Sequence, residues 1–389
     1  MKKIYCLLLF FLALTAYAQK PTPVAKIPFH LEGNHVYIQL TIGTSDTLDF
    51  IFDTGAGSSV INTATAEALS LSGSRTALTQ GASGTVESSI IQKQNINIGS
   101  LTLKKVNLLG APLSHFERSV GKDIDGIIGY DLLKDFVIQV NYNTSQLIVY
   151  KSRGFQYQGD GEVINIDLGR VPTAVFPVLL TDGSYQKEEF IIDNGAGLTI
   201  AFTSPFAKKE QLMTTIENTY QSSSKGFSTN VANVNVGRIS GLKIGNREFT
   251  NVPARIYDTK EGVFSMESIA GIIGNEIQKR YNIVFDYKRK KSYWEPNDRF
   301  ENEPFVVAHS GLQLVRNDDK TGVIIEGIIP ESPAASSALQ LGDEIVEIDG
   351  VKASEASLYM LRLALRKNGK TVRVVYRNEQ VFSHNRSLL

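Results

Sequence analysis

The sequence predicts a mainly β protein: two pseudo-symmetric, barrel-like lobes followed by a smaller α/β module. Three observations predict it. One apolar stretch ending in an acid and a glycine turn occurs twice, at residues 50–57 and 190–197, with six of eight positions identical. A second motif also occurs twice, Gly126-Ile127-Ile128-Gly129 and Gly271-Ile272-Ile273-Gly274, each following its acid. Past residue 305 nothing of the repeat returns, and a separate strand-and-helix pattern takes over. A repeat longer than a hundred residues is too long for a solenoid unit, so it reads as a duplicated domain with an approximate two-fold axis.

Composition is that of an ordinary globular chain: 389 residues, 42% hydrophobic and 21% charged, with formal net charge zero. Nothing in that balance points to nucleic acid or to electrostatic attraction to a membrane surface. Lys2 and Lys3, the apolar run Ile4 to Leu14 and the small-residue site Ala16-Tyr17-Ala18 read as a signal peptide over residues 1–18. The run is too short to span a membrane, so the expectation is an exported protein, periplasmic or extracellular, with no integral span after cleavage. The only cysteine, Cys6, lies in the removed segment. The mature chain therefore has no disulfide, no cysteine nucleophile and no thiolate metal site.

Residues 19–152 form the first lobe. His35 to Ile42 and Thr47 to Phe52 are strand-like, rich in β-branched and aromatic residues and bounded by glycine turns. Asn62 is placed to cap a short helix through Leu69. Thr79 to Thr85 is polar and punctuated by glycine between two strand-like runs, which suits a hairpin tip. Phe136 to Tyr142 and Gln146 to Tyr150 make a hairpin around Asn143-Thr144. Lys151 to Glu162 reads as a linker. Residues 153–297 repeat the unit, with Gly226 to Asn230 in the place of a second hairpin tip. Pro296 to Pro304 reads as a second linker. Residues 305–389 then show strands at Leu312 to Arg316, Gly322 to Ile329, Glu344 to Ile348 and Thr371 to Tyr376, and a helix from Glu355 to Arg366 that stops at Asn368-Gly369.

An Asp that follows an apolar strand and precedes a glycine is ordinarily a turn. Two of them in register across a pseudo-dyad have a chemical use. Carboxylates about 3 Å apart cannot both ionise, so Asp53 and Asp193 share a proton and titrate as a unit. The singly protonated pair can hold a water, remove its proton on one side and donate to a carbonyl on the other, hydrolysing an amide without a covalent intermediate. Gly55 and Gly195 let the loops approach, and Thr54 offers a hydroxyl across the axis. The acid pair supplies both base and acid, so neither metal nor cofactor is expected. The five histidines show no metal spacing. No Gly-x-Ser-x-Gly elbow is present, and no third glycine follows Gly55 and Gly57 at nucleotide-loop spacing.

Asp53-Thr54-Gly55-Ala56, with the two Ile-Ile-Gly segments, resembles the aspartic protease family over residues 25–297. The short, cysteine-free lobes are similar to retropepsin-like domains fused in one chain. The resemblance implies that Asp53 and Asp193 are the catalytic dyad, supported by Thr54, Gly55, Asn194 and Gly195. It also implies that Gly81, Ala82, Ser83 and Gly84 form a flap over a polypeptide substrate. Asn194 stands where the family has Thr or Ser, so the second lobe lacks the matching hydroxyl. Ala56 and Ala196 give the carboxylates no outer hydroxyl donor, which predicts activity at mildly acidic to neutral pH. Because the duplication supplies both lobes, a monomer is expected.

Ser332-Pro333-Ala334, Leu339, Gly342-Asp343, Ile345, Ile348 and Gly350 resemble the PDZ domains of bacterial proteases. That resemblance implies a groove for peptide C-termini at Gly311, Leu312, Gln313 and Leu314, lined by the helix. Together the readings imply a secreted aspartic endopeptidase with a peptide-binding or regulatory PDZ module. The alternative is a catalytically inactive peptide-binding or scaffold protein that retains the protease fold.

Overall fold

The computed structural model describes residues 20–378 except 83, 217–218, 228–229, 306–309 and 367–368. The leader and the last residues of the C-terminal module thus lie outside the described residues. So do Ser83 of the expected flap and Asn368 of the expected helix stop.

Strands predominate, and the two lobes are built from the same parts. In the first, the acid strand Leu48–Phe52 lies parallel to Gly126–Ile128, with Phe50 opposite Gly126 and Phe52 opposite Ile128. In the second, Tyr185–Ile192 lies parallel to Gly271–Ile273, with Phe190 opposite Gly271 and Ile192 opposite Ile273. Strands buried on both faces read as continuous apolar runs: Phe50, Ile51 and Phe52 are buried in the first acid strand, and Phe190 and Ile192 in the second, where Ile191 is half-buried. Long hairpins complete each lobe: Gly84–Ile98 with Leu101–Ala111, and Val231–Ile244 with Arg247–Asp258.

The lobes are joined by a six-stranded stretch of sheet. It runs Glu162–Asn165, Lys291–Pro296, Tyr281–Asp286, Phe136–Asn141, Gln146–Lys151, Ala25–Glu32, so each lobe gives a hairpin to one platform. Ile283 of the second lobe pairs with Val140 of the first. Trp294 is wholly buried there, edge-on to Phe176 and Tyr281.

Both segments read as linkers are packed. Phe155 is buried with Val137, Val284 and Tyr293, and Tyr157 stacks on Tyr293 at 4.0 Å. Their aromatic rings outweigh the glycines around them. In the second segment Arg299–Asn302 is helical, and Phe300 and Phe305 lie against Phe249.

The C-terminal module has its own core of Leu312, Leu314, Val323, Ile345, Leu358 and Leu361 among others. Its helix is Leu358–Ala364, shorter than the expected Glu355 to Arg366, because Ser357 caps it by accepting from the Met360 N–H. Leu312–Arg316 is an edge strand of its sheet. The module sits on the two lobes through single side chains. Lys320 reaches Glu117 at 2.6 Å, and Arg118 reaches Asp318 at 2.7 Å and the Arg316 carbonyl at 2.9 Å. The Gln313 amide donates to the Ser222 hydroxyl at 2.5 Å and accepts from Ser223 at 3.3 Å. Among the described residues no helix is long and apolar enough to cross a membrane.

Candidate active site

Each acid is delivered by its strand and then held by the strand threaded behind it. The Asp53 N–H donates to the Ile128 carbonyl at 2.9 Å, and the Asp193 N–H to the Ile273 carbonyl at 3.0 Å. Next the chain turns back on the acid. The Gly55 N–H donates to Asp53 Oδ1 at 2.7 Å, and the Gly195 N–H to Asp193 Oδ1 at 2.8 Å. Ala196 adds a second donor to Asp193 Oδ1 at 3.0 Å. With no hydroxyl at Ala56 or Ala196, backbone N–H groups do this work.

The two turns interlock. A methyl group placed on Gly55 would lie 2.5 Å from Asp193 Cγ, and one on Gly195 would overlap the Asp53 carboxyl in the same way. Only glycine at both positions lets the carboxyls meet across the axis. Beneath them Thr54 and Asn194 cross between lobes, both wholly buried. Thr54 Oγ1 donates to the Ile192 carbonyl at 2.7 Å and accepts from the Asn194 N–H at 3.0 Å. In return Asn194 Oδ1 accepts from the Thr54 N–H at 2.7 Å. The side-chain amide thus takes over the acceptor half of the missing hydroxyl. Its Nδ2 has no acceptor in hydrogen-bonding geometry, although the Tyr142 hydroxyl is close by. That hydroxyl instead donates to Asn275 Oδ1 at 2.5 Å, and Asn275 Nδ2 donates to the Asn34 carbonyl at 2.8 Å, a second link between lobes.

Burial, the Asp193 charge and the hydrogen bond between the two carboxyls push the Asp53 pKa well up. Burial also raises Asp193, less so, because Asp53, Ala196 and Gly195 all hydrogen-bond to it. The two carboxyls therefore hold one proton between them and titrate as a pair. His35 lies under the second acid turn, within hydrogen-bonding reach of the Gly195 backbone, and burial lowers its pKa to about 4. It is therefore neutral well above about pH 4.

The cleft above the acids is roofed by both hairpin tips. The Ala82 carbonyl accepts from the Phe264 N–H at 3.1 Å. A methyl on Gly226 would lie 2.8 Å from the Ala82 Cβ, and Gly84 abuts Asn230. His115 Nε2 lies 3.2 Å from the Gly226 carbonyl, tying the tip of the second lobe to the first. Gly81 and Ala82 line the cavity beneath. The four residues expected to form the PDZ groove divide. Leu312 and Leu314 bury their side chains in the core of the module, Gly311 makes a left-handed turn at φ 79°, and Gln313 is bound to Ser222 and Ser223. Leu312, Gln313 and Leu314 line the same cavity as the two acids.

Sequence reasoning missed His35 and the arginines of this cavity. A lone histidine carries no spacing signal, and an arginine on a strand or short helix looks like any solvated charge.

The comparisons with known proteins agree with this architecture. Residues 38–132 match the family model for aspartyl proteases. Residues 305–377 match that of the PDZ domain. A search among curated proteins finds no match. The first match ends before the second acid, so the second lobe is tied to the first by its repeat and its matching strand register. The chain therefore carries an aspartyl protease domain in its first lobe and a PDZ domain at its C-terminal end.

Proposed function

We propose that the protein is an aspartic endopeptidase in which a water held between Asp53 and Asp193 attacks the peptide bond. Asp193, the ionised member, removes the proton of the water. Asp53 donates its proton to the scissile carbonyl as the tetrahedral diol forms; as the carbon–nitrogen bond breaks, Asp193 passes the water's proton to the departing amine and Asp53 takes a proton back from a diol hydroxyl, which restores the starting pair. Thr54, Asn194, Gly55 and Gly195 position the pair. The hairpin tips, with Gly81, Ala82, Ser83 and Gly84 on one of them, close over an extended peptide and exclude bulk water.

The observation that carries this reading is the reciprocal Thr54–Asn194 lock beneath two opposed, buried carboxyls whose pKa values are both raised, that of Asp53 by burial and by the charge of Asp193. Lobes at residues 19–152 and 153–297 complete one site, so the working unit is a monomer. The PDZ domain at 305–389 contributes peptide binding. Export through a cleaved leader at residues 1–18 completes the proposal.

Its test is cleavage of a mixed peptide library by the purified wild type and by Asp53→Ala, with and without a transition-state-analogue inhibitor. Cleavage that disappears in the variant and under inhibitor supports it. Equal background in all arms leaves a peptide-holding scaffold.

A further inference from the structure

The cavity over Asp53 and Asp193 does not stop at the protease lobes. It is one continuous space of about 1150 Å³ that extends to the edge strand Leu312–Arg316 and the helix Leu358–Ala364 of the PDZ domain. Three arginines line it at that junction. Arg255 comes from the second-lobe strand Arg247–Asp258, Arg362 from the PDZ helix and Arg366 from just beyond it.

They are close enough to feel one another. Burial, Arg366 and Arg255 together lower the Arg362 pKa to about 10, with Glu326 acting the other way. The charge of Arg362 is also felt at His35, beneath the acid turn. Arg362 Nη2 donates to the Leu314 carbonyl at 2.6 Å, and Arg255 Nη1 only just reaches Ser224 Oγ at 3.5 Å. The cluster is preformed, because Gln313, Arg118 and Lys320 fix the module on the lobes.

Glu326 lines the same junction, one carboxylate among three guanidinium groups, so an excess of positive charge remains in a partly desolvated space, and that excess is costly until a further anion joins it. The guanidinium fork matches a carboxylate with two parallel hydrogen bonds. The Leu314 carbonyl adds a second point. It lies on an edge strand, where a peptide would pair, and Arg362 now occupies it. A bound carboxylate gives Arg362 a better partner and frees that carbonyl for the peptide backbone.

We propose that Arg255, Arg362 and Arg366 form a carboxylate subsite at the junction of cleft and PDZ groove, so that the enzyme selects peptides bearing a carboxylate on the segment running from the acids toward the PDZ domain. This rests on the peptidase reading. The carboxylate is supplied by an acidic side chain or by the terminal carboxyl of the substrate.

The test uses internally quenched peptides with one scissile core. In one arm a single Glu, or Gln in its place, is moved along the chain. In the other the peptide ends in a free carboxyl or a carboxamide. Wild type is expected to show kcat/KM about tenfold higher for the carboxylate member of at least one pair. The arm that shows it identifies the source. Arg362→Met with Arg366→Met is expected to bring the ratio below about twofold, and Arg362→Lys to keep an intermediate ratio. Arg255→Met, in the other domain, is expected to lower the ratio independently, and thermal melts check that each variant is folded. A ratio near one in wild type, or one unchanged in folded variants, overturns the proposal. Should no peptide be cleaved, the peptidase reading fails separately. The subsite is then read by fluorescence anisotropy of the same peptides on Asp193→Asn protein. Tighter binding of the carboxylate member, lost in the arginine variants, supports it, and equal affinities overturn it.

Discussion

Thr54 and Asn194 cross between the lobes directly beneath the acids, and they do so unequally. Thr54 both donates and accepts, while Asn194 accepts with Oδ1 and leaves Nδ2 without a well-placed acceptor. The acceptor is the half that matters, because the buried Thr54 N–H donates to it. Asn194→Ala removes it, which costs about 1–3 kcal/mol of stability. The same change is expected to lower kcat by about tenfold, equivalent to ~1.4 kcal/mol of lost positioning. Asn194→Thr keeps an acceptor and is expected to stay within about threefold of wild type in kcat. Thermal melts and steady-state kinetics check both. The acids make a second prediction. Their pKa values are raised in the folded protein, so the native state holds a proton that the unfolded chain has already released above the ordinary carboxyl range near pH 4. Their contribution to stability therefore worsens as pH rises from about 4. Asp53→Asn is expected to abolish cleavage yet stabilise the fold at pH 7 by about 0.5–2 kcal/mol, a gain that disappears toward about pH 3. Denaturant melts across pH measure it. The paired acids were legible in the sequence because the chain repeats them. The role of Asn194 was not, since composition does not show which atom of an amide faces a buried N–H.

Among the elements, the acid strands and the strands behind them were the most legible, because burial on both faces leaves an uninterrupted apolar run. Thr79 to Thr85 was legible as a hairpin tip through its glycines. Its partner around Gly226 could be placed only by the repeat, and their meeting depends on tertiary approach. Phe155 and Tyr157 lie in a stretch whose glycines and polar residues read as a linker. Two aromatic rings in a glycine-rich stretch bury themselves on a sheet that the local sequence does not reveal. The roof yields a test. Gly262 adopts φ 73°, and a methyl there would lie 2.5 Å from the Gly84 nitrogen and against the Ala82 carbonyl. Gly262→Ala is expected to push the first-lobe tip off the second-lobe loop that carries Gly262 and Phe264, and to raise KM for peptides by about tenfold, ~1.4 kcal/mol of lost binding. An unchanged KM in steady-state assays would show that the first-lobe tip does not close on substrate.

At the scale of the whole molecule, the sequence announced a PDZ domain but not its position over the cleft. That position depends on isolated polar contacts, Gln313 with Ser222 and Ser223, and Lys320 with Glu117 and Asp123. Such pairs leave no periodic trace. Lys320→Glu sets like charges opposite one another, and with Gln313→Ala it is expected to undock the module. Small-angle scattering should then report a larger radius of gyration, and KM for protein substrates should rise. The central claim is that one proton shared by Asp53 and Asp193 drives the chemistry, and the pH profile of kcat/KM tests it most directly. The account predicts a bell with its optimum between about pH 4 and pH 7, one proton on each limb, and no cleavage at any pH in Asp53→Asn or Asp193→Asn. A flat profile, an optimum well below about pH 4, or either variant retaining the wild-type curve would contradict it.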